Sequence, residues 1–394
     1  MSATAAGPKP RGAAPDRALR HAEDLLLLAL AMAISLSIAA TEIAFFLTAA
    51  LRLRRAALGE PLRLRPRGVA LAWAGLAAAW ILSGCCSPEP WESLLRVHRL
   101  YVVLTVFLVA ERAADGGFAR RLAAAYLIGA ATGSAFGLLS WVQALRGHPG
   151  WRLAGSFSTA MTAGNVLATA FIAAFAVCLG ESGRLRWLAG GGGAVVAAAL
   201  AATRTRSSWL GAIAGAMLVG VAGRWRRWAV PALAILVLAA AAVPAVRERA
   251  ATVLDAQDFT ARGRVSLWMT GWDLFRERPL VGWGLADHKQ RISEHRRPDA
   301  TFIAGHFHNN LVQVAVSGGA VGLAAFAALH AGLAWALWRR RRSTWSVAAL
   351  GVWASFQIAG LFDWSFGDAE VAYQFFFWMG LGLADNDEDG APPS

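Results

Sequence analysis

The sequence predicts an all-α polytopic membrane protein, and three observations carry that prediction. The 394-residue chain is 57% hydrophobic and only 16% charged, whereas a soluble chain carries roughly 25% charged residues. Its apolar residues gather in blocks of about 16 to 27, the length at which a helix crosses a hydrocarbon layer of ~30 Å. The net charge of +13 is almost wholly arginine, 36 Arg against Lys9 and Lys289. Those arginines crowd into short loops between blocks, the pattern of loops retained on the cytoplasmic side. The basic excess therefore needs no nucleic acid. Cys85, Cys86 and Cys178 supply neither a disulfide framework nor a zinc spacing. No short apolar segment with a cleavage site opens the chain, so the first block is expected to stay as an anchor.

Apolar blocks fall near 22–51, 69–84, 94–110, 118–145, 159–180, 187–203, 207–222, 229–246, 308–338, 344–362 and 370–384. The loop 52–67 holds six Arg and one Glu, and 181–187, 223–228 and 339–342 are also basic. Alternating blocks put all four loops on one face, which the charge rule makes cytoplasmic. Read as one span, the first block would strand Lys9, Arg11, Arg17 and Arg20 on the outer face. Two short helices turning near Thr41-Glu42 keep them inside. That gives about twelve transmembrane helices, with eleven as the alternative. The GGGG at 190–193 lies within a span, where small residues permit close helix packing.

One outer loop stands apart. Residues 247–307 carry ten Lys/Arg and eight Asp/Glu, and a connection that long is usually functional or disordered. Disorder does not suit its composition. Val265, Trp268, Met269, Trp272 and Phe275 recur at helical spacing, with Ser266, Thr270, Asp273 and Arg276 opposite. Such a helix should lie along the bilayer surface, ending at Pro279 and Gly282/Gly284. The chain thus divides into N-terminal membrane helices over 1–246, the long loop 247–307, C-terminal membrane helices over 308–384 and a short acidic cytoplasmic tail 385–394.

Chemistry belongs where polar residues sit against the charge rule. The turn TRTRSSWLGA at 203–212 places Arg204 and Arg206 at the outer surface. Guanidinium groups there can clamp a phosphate bidentately, or snorkel to lipid headgroups. Arg264 follows Gly263 at the expected start of the amphipathic helix, where free backbone N–H groups favour an anion; a solvated helix end fits the same position. In HFHNNLVQVAVSGGAVGL (306–323), His306 and His308 stand before an apolar run. A neutral imidazole is the usual general base near pH 7, although an interfacial His can equally cap a helix. Asn309 and Asn310 can orient a substrate or the ring. Gly318, Gly319 and Gly322 would let the helix bend so that His308 stands at its outer tip. Asp363, Asp368 and Glu370 in FDWSFGDAE could be ligands or orienters, but are expected chiefly to cap the next helix. No Walker A, H-E-x-x-H, G-x-S-x-G or outer D-x-D pattern occurs, so no metal or cofactor is signalled.

His308-Asn309, nine residues, Gly319, two residues and Gly322 resemble the H-[NSQ]-x9-G-x2-G pattern of the O-antigen ligase family. The turn TRTRSSWLG, the GR-x3-W beginning at Gly263 and RPLVGWGL are similar to that family too, so the resemblance runs from about 200 to 325. It implies a GT-C-like glycosyltransferase of the bacterial inner membrane with its active site facing the periplasm. An O-antigen glycan on undecaprenyl diphosphate would be transferred to a sugar hydroxyl of lipid A–core oligosaccharide, with inversion and without a metal. His308 matches the motif histidine and would be the general base. Arg206 and Arg264 match the two arginines, and Arg204, Asn309 and His306 are substrate-binding neighbours.

Two rivals remain at this point. The same donor chemistry serves O-antigen polymerases and protein O-oligosaccharyltransferases. A transporter or flippase for a lipid-linked anion would instead carry charges at mid-span, and blocks 187–203, 229–246 and 344–362 carry none.

Overall fold

The computed structural model describes residues 13–384 except 63, 149, 298–303 and most of 224–258. The apolar block 229–246, the start of the long loop, Lys9, Arg11 and the tail 385–394 lie outside the described residues. Everything regular among them is helical: α1 (Ala13–Ala33), α2 (Ile38–Ala57), α3 (Arg67–Cys85), α4 (Pro90–Val97) running through a 3-10 turn (His98–Leu104) into α5 (Thr105–Ala113), α6 (Gly116–Leu145), α7 (Ala160–Gly180), α8 (Gly183–Ala202), α9 (Arg206–Ala222), α10 (Phe259–Glu277), α11 (Lys289–Glu294), α12 (Asn310–Arg339), α13 (Thr344–Gly360) and α14 (Ala369–Leu383). Six described segments are long and apolar enough to cross a membrane: α3, the continuous stretch from α4 to α5, α6, α7, α8 and α12. The chain is an all-α polytopic membrane protein.

Local chemistry sets the helix starts. Ser37, Asp115, Thr159, Asn309 and Asp368 each turn a side-chain oxygen onto the first free backbone N–H groups of the following helix, the usual remedy for unpaired N-terminal donors. Ser37 also corrects an expectation. The first block does fold as two helices, but they turn at 34–37 rather than at Thr41-Glu42. Ser37 caps α2, and Thr41 donates to the Ser37 carbonyl from inside the helix.

The arginines of the 52–67 region do more than set topology. Arg55 is 3% exposed and pairs with Glu23 and Glu60, and Arg52 donates to Glu111 at 2.8 Å. Arg112 reaches Asp24 at 2.6 Å. These pairs tie α1, α2 and α5 together at the end away from the candidate site.

At the centre of the bundle, α14 is covered on all sides. Phe375, Phe376, Phe377 and Trp378 are fully buried, as expected of a helix that is hydrophobic all round. The GGGG run serves close packing as expected. A Cβ at Gly193 would lie 3.0 Å from the Ala174 methyl of α7, and one at Gly192 3.3 Å from Ala131 of α6.

The long helix α12 is broken. Gly319 has φ 62°, ψ −160° inside the helix, a region essentially reserved for glycine. A break leaves backbone groups unpaired, and the segment 279–284 of the long loop pairs them. Trp283 N and Gly284 N donate to the Val316 and Ser317 carbonyls at 2.8 and 2.9 Å. In return Ala320 N and Val321 N donate to Pro279 and Leu280 at 2.8 and 3.1 Å. The two backbones are so close that a Cβ at Gly319 would sit 2.3 Å from the Leu280 oxygen.

Against this break lies α10. Its buried stripe is Gly263, Ser266, Leu267, Thr270, Gly271 and Leu274, while Val265, Met269 and Trp272 are left uncovered by protein. The apolar stripe thus faces away from the bundle, as a surface helix requires. Ser266 and Thr270, however, face protein rather than water.

Candidate active site

The helix ends and loops on one side of the bundle enclose a cavity of about 910 Å³. His306, His308, Asp363, Asp368 and Glu370 line one part of it, and Arg96, His98, Arg99 and Tyr101 another. His288, Gln313 and Ser317 complete the wall beneath the histidines.

His308 is the last residue but one before α12 and adopts φ 48°, uncommon for a side-chain-bearing residue though less so for His. Such an outlier is a pointer to function only when its surroundings hold it there, and here they do. Asn309 Oδ1 accepts from Leu311 N and Val312 N at 2.8 and 3.1 Å, and its Nδ2 donates to the Leu361 carbonyl at 3.0 Å. Asn310 Oδ1 accepts from Phe366 N at 3.1 Å. Phe307 N donates to Gln313 Oε1 at 3.1 Å. The turn before α12 and the loop after α13 are therefore stitched together, and the imidazole is carried on the seam.

Across that seam His308 Nδ1 donates to Asp363 Oδ1 at 3.4 Å, with the two side chains 18% and 9% exposed. The carboxylate is itself held. Trp364 N donates to Oδ1 at 2.9 Å, and Asn165 Nδ2 of α7 donates to Oδ2 at 3.1 Å. Asn165 Oδ1 in turn accepts from Ser208 Oγ of α9 at 2.7 Å. A chain of hydrogen bonds thus runs from His308 to the helix whose first residue is Arg206. A carboxylate on one ring nitrogen fixes the tautomer and makes the other nitrogen the basic one.

His306 lies beside His308 with ring centroids 4.1 Å apart. Its Nδ1 accepts from the His308 backbone N–H at 3.3 Å. Burial, with the neighbouring His308 adding to it, pushes His306 down to about 4. It is therefore neutral at pH 7 and does not oppose a proton arriving on its neighbour.

Asp368 does cap α14, as expected, and also accepts from Thr162 Oγ1 at 2.8 Å. Burial raises its carboxyl, and Asp363 nearby adds to the rise. Asp363 is not a cap: its partners are His308 and Asn165. Its pairing with His308 is what the sequence did not single out, because FDWSFGDAE offers three carboxylates as ligands or orienters and nothing local marks which one meets a histidine 55 positions away.

The arginines are placed less uniformly. Arg264 reaches the cavity wall, donating from Nη2 to the Met161 sulfur at 3.2 Å, and Met161 lines the cavity. It does not stand at a helix start as expected. The helix is already formed at Phe259, so Arg264 lies in its second turn and terminal N–H groups are not beside it. Arg206 opens α9 and Arg204 occupies the turn before it with φ 51°; neither lines the cavity. That turn is held from below. Arg152 donates to the Thr203 carbonyl at 2.9 Å and to Thr205 Oγ1 at 2.7 Å, while Thr205 Oγ1 donates to the Ala160 carbonyl at 2.9 Å. Asn309 is buried as a cap rather than turned toward a substrate.

His306, His308 and Asp363 offer ligand atoms that all lie within 4.8 Å of one another. Imidazole and carboxylate donors of this kind suit zinc and other first-row metals. No local motif announced the set, which the fold assembles from two segments.

A family model described as O-antigen ligase matches residues 191–327, which span the Arg206 turn, α10 with Arg264, and His308 with the broken part of α12. No curated protein matches the chain.

Proposed function

We propose that this membrane protein, which carries an O-antigen ligase family segment, is an O-antigen ligase working at the cavity of His308. It moves a glycan from undecaprenyl diphosphate to a sugar hydroxyl of a lipid A–core acceptor on the periplasmic face of the inner membrane. The observation that carries the reading is the partly buried His308–Asp363 pair, held on a seam that links by hydrogen bonds to the Arg206 helix.

In this mechanism His308 takes the acceptor hydroxyl proton on Nε2 while Asp363 steadies Nδ1–H and the imidazolium that forms. The hydroxyl oxygen attacks the anomeric carbon from the face opposite the diphosphate. The anomeric C–O bond breaks, its electron pair stays on the departing undecaprenyl diphosphate, and the configuration inverts. Arg206 and Arg264, with Arg204 beside the former, meet the charge that grows on the diphosphate. Groups already aimed at that charge stabilise the transition state more than the ground state. No step in this scheme uses the metal-binding capacity of the two histidines and Asp363.

The test is transfer by the purified protein in detergent, with defined undecaprenyl-diphosphate glycan and lipid A–core, with and without chelator. Product with the wild type, and none with a correctly folded His308→Ala variant, is expected. Wild-type product from that variant would overturn the assignment of the base. Growth of the donor glycan instead of capping of lipid A–core would make the protein a polymerase. Detergent removes compartments, so any product at all excludes pure transport.

A further inference from the structure

The proposed reaction leaves one wall of the cavity without a task. Arg96, His98 and Arg99 line it within four residues at the junction of α4 and the 3-10 turn. Arg99 is exposed to the cavity and makes no hydrogen bond or ion pair among the described residues. Arg96 pairs with Glu92 at 2.6 Å across one helical turn, both side chains partly exposed. An exposed pair of that kind is weak and yields readily to a better oxyanion. His98 is stacked on Tyr101, centroids 6.2 Å apart and planes 9° apart, and Tyr101 is in turn fixed by donating to Glu42 at 2.8 Å. Its Nδ1 is turned to the Leu95 carbonyl, which leaves Nε2 for a ligand. Asp363, Asp368 and Glu370 line the same cavity, as do Glu42 and Asp287. What sets this wall apart is three basic side chains within four residues, the groups that an anion entering the cavity would meet.

We propose that the Arg96–Arg99 wall is the acceptor subsite and binds a phosphate carried by the acceptor glycan, which brings a neighbouring sugar hydroxyl to His308. This rests on the ligase reading of the same cavity. Arg99 is the principal contact, since its guanidinium has no internal partner to give up, and a fork on a phosphate gives two charge-assisted hydrogen bonds. Arg96 joins by releasing Glu92. The donor diphosphate is held separately, by the arginines of α9 and α10.

The experiment uses the full chain in nanodiscs of zwitterionic lipid and two synthetic glycolipid acceptors that differ only in one phosphate monoester on the glycan. Arg99→Gln is expected to raise the KM for the phosphorylated acceptor about tenfold, the scale of one charged hydrogen bond at a partly exposed site. The donor KM and the KM for the phosphate-free acceptor should stay unchanged. Equal effects on both acceptors, a raised donor KM, or no effect would each overturn the proposal. If the variant instead changes only the response to added phosphatidylglycerol, the arginine holds a lipid headgroup and the proposal falls. Equilibrium binding of the two glycolipids without donor separates the two levels of inference. A wild type that transfers nothing but binds the phosphorylated probe tenfold tighter, through Arg99, would refute the ligase reading and retain the subsite.

Discussion

Asp363→Asn is the substitution that tests the base most directly. The carboxylate accepts from His308 Nδ1 at 3.4 Å, Trp364 N at 2.9 Å and Asn165 Nδ2 at 3.1 Å. An amide of the same shape can keep its oxygen toward His308 and Trp364. Its NH2 then faces the NH2 of Asn165, two donors with no acceptor between them. Asn165 must flip, so that its Nδ2 faces Ser208 and the serine hydroxyl accepts where it had donated. More important, the negative charge beside the imidazolium is gone. A hydrogen bond to a charged group contributes about 1.5–3 kcal/mol, and each 1.36 kcal/mol is a factor of ten in rate. The His308–Asp363 contact is long, so the lower part of that range applies, and kcat should fall about 10- to 40-fold at neutral pH. His308→Ala removes the base itself, worth ~10²–10⁴-fold. The double variant should be no slower than His308→Ala alone, because Asp363 acts through the ring. Initial rates at saturating donor and acceptor, on protein that elutes as wild type in size exclusion, measure all three. An Asp363→Asn rate within twofold of wild type would refute the pairing. So would losses that simply multiply in the double variant.

The arginine assignments predict that Arg206→Lys and Arg264→Lys each lose at least about tenfold in rate, because an ammonium cannot reproduce the guanidinium fork; full activity of both would remove the phosphate clamp. Gly319→Ala should destabilise the protein by about 3 kcal/mol or more, from a backbone region closed to side chains and a Cβ 2.3 Å from the Leu280 oxygen. A wild-type melting temperature in detergent would contradict the account of the helix break. His288 is 1% exposed and burial, with Arg291 adding to it, pushes it down to about 4. Its folded value lies below the unfolded one near 6.5, so the unfolded chain takes the proton first on acidification. Stability is then complete above about pH 6.5 and falls as pH drops toward 4, by up to about 3 kcal/mol for this group. The melting temperature of His288→Asn should lose less between pH 7.5 and 5 than that of the wild type, and identical slopes would refute the assignment.

The bundle was legible because a bilayer permits few answers. Block lengths, basic loops and small-residue runs located the helices. His308 was legible too, since an imidazole before a glycine-broken apolar run is chemically unusual. Its partner was not, because pairing with Asp363 depends on how α12 and α13 meet rather than on any spacing. Arg264 shows a different limit. Gly263 resembles a helix boundary in the sequence, yet it is a buried residue inside α10. Asn309 was misread for a related reason: an amide suits a substrate or a helix cap equally, and only the backbone decides.

The two asparagines and the broken helix bear on one problem, which is how a membrane helix can hold an imidazole at a fixed distance from a carboxylate. A side chain at a frayed helix tip would wander by more than the tolerance of a hydrogen bond. Here the tip is fixed at three points. Asn309 spans to Leu361, Asn310 receives Phe366 N, and Phe307 N is taken by Gln313 from one turn below. Gln313 Nε2 donates to Ser317 Oγ at 3.4 Å, Ser317 Oγ meets His288 Nε2 at 3.0 Å, and the Ser317 carbonyl accepts from Ser83 of α3 and from Gly284 N. The same carbonyl that the break at Gly319 frees is therefore what anchors the platform of His308 to α3 and to the long loop. A continuous α12 would consume that carbonyl within the helix and cut the platform loose. In this chain the break near the glycines belongs to the positioning of His308, even though Gly318, Gly319 and Gly322 do not themselves line the cavity.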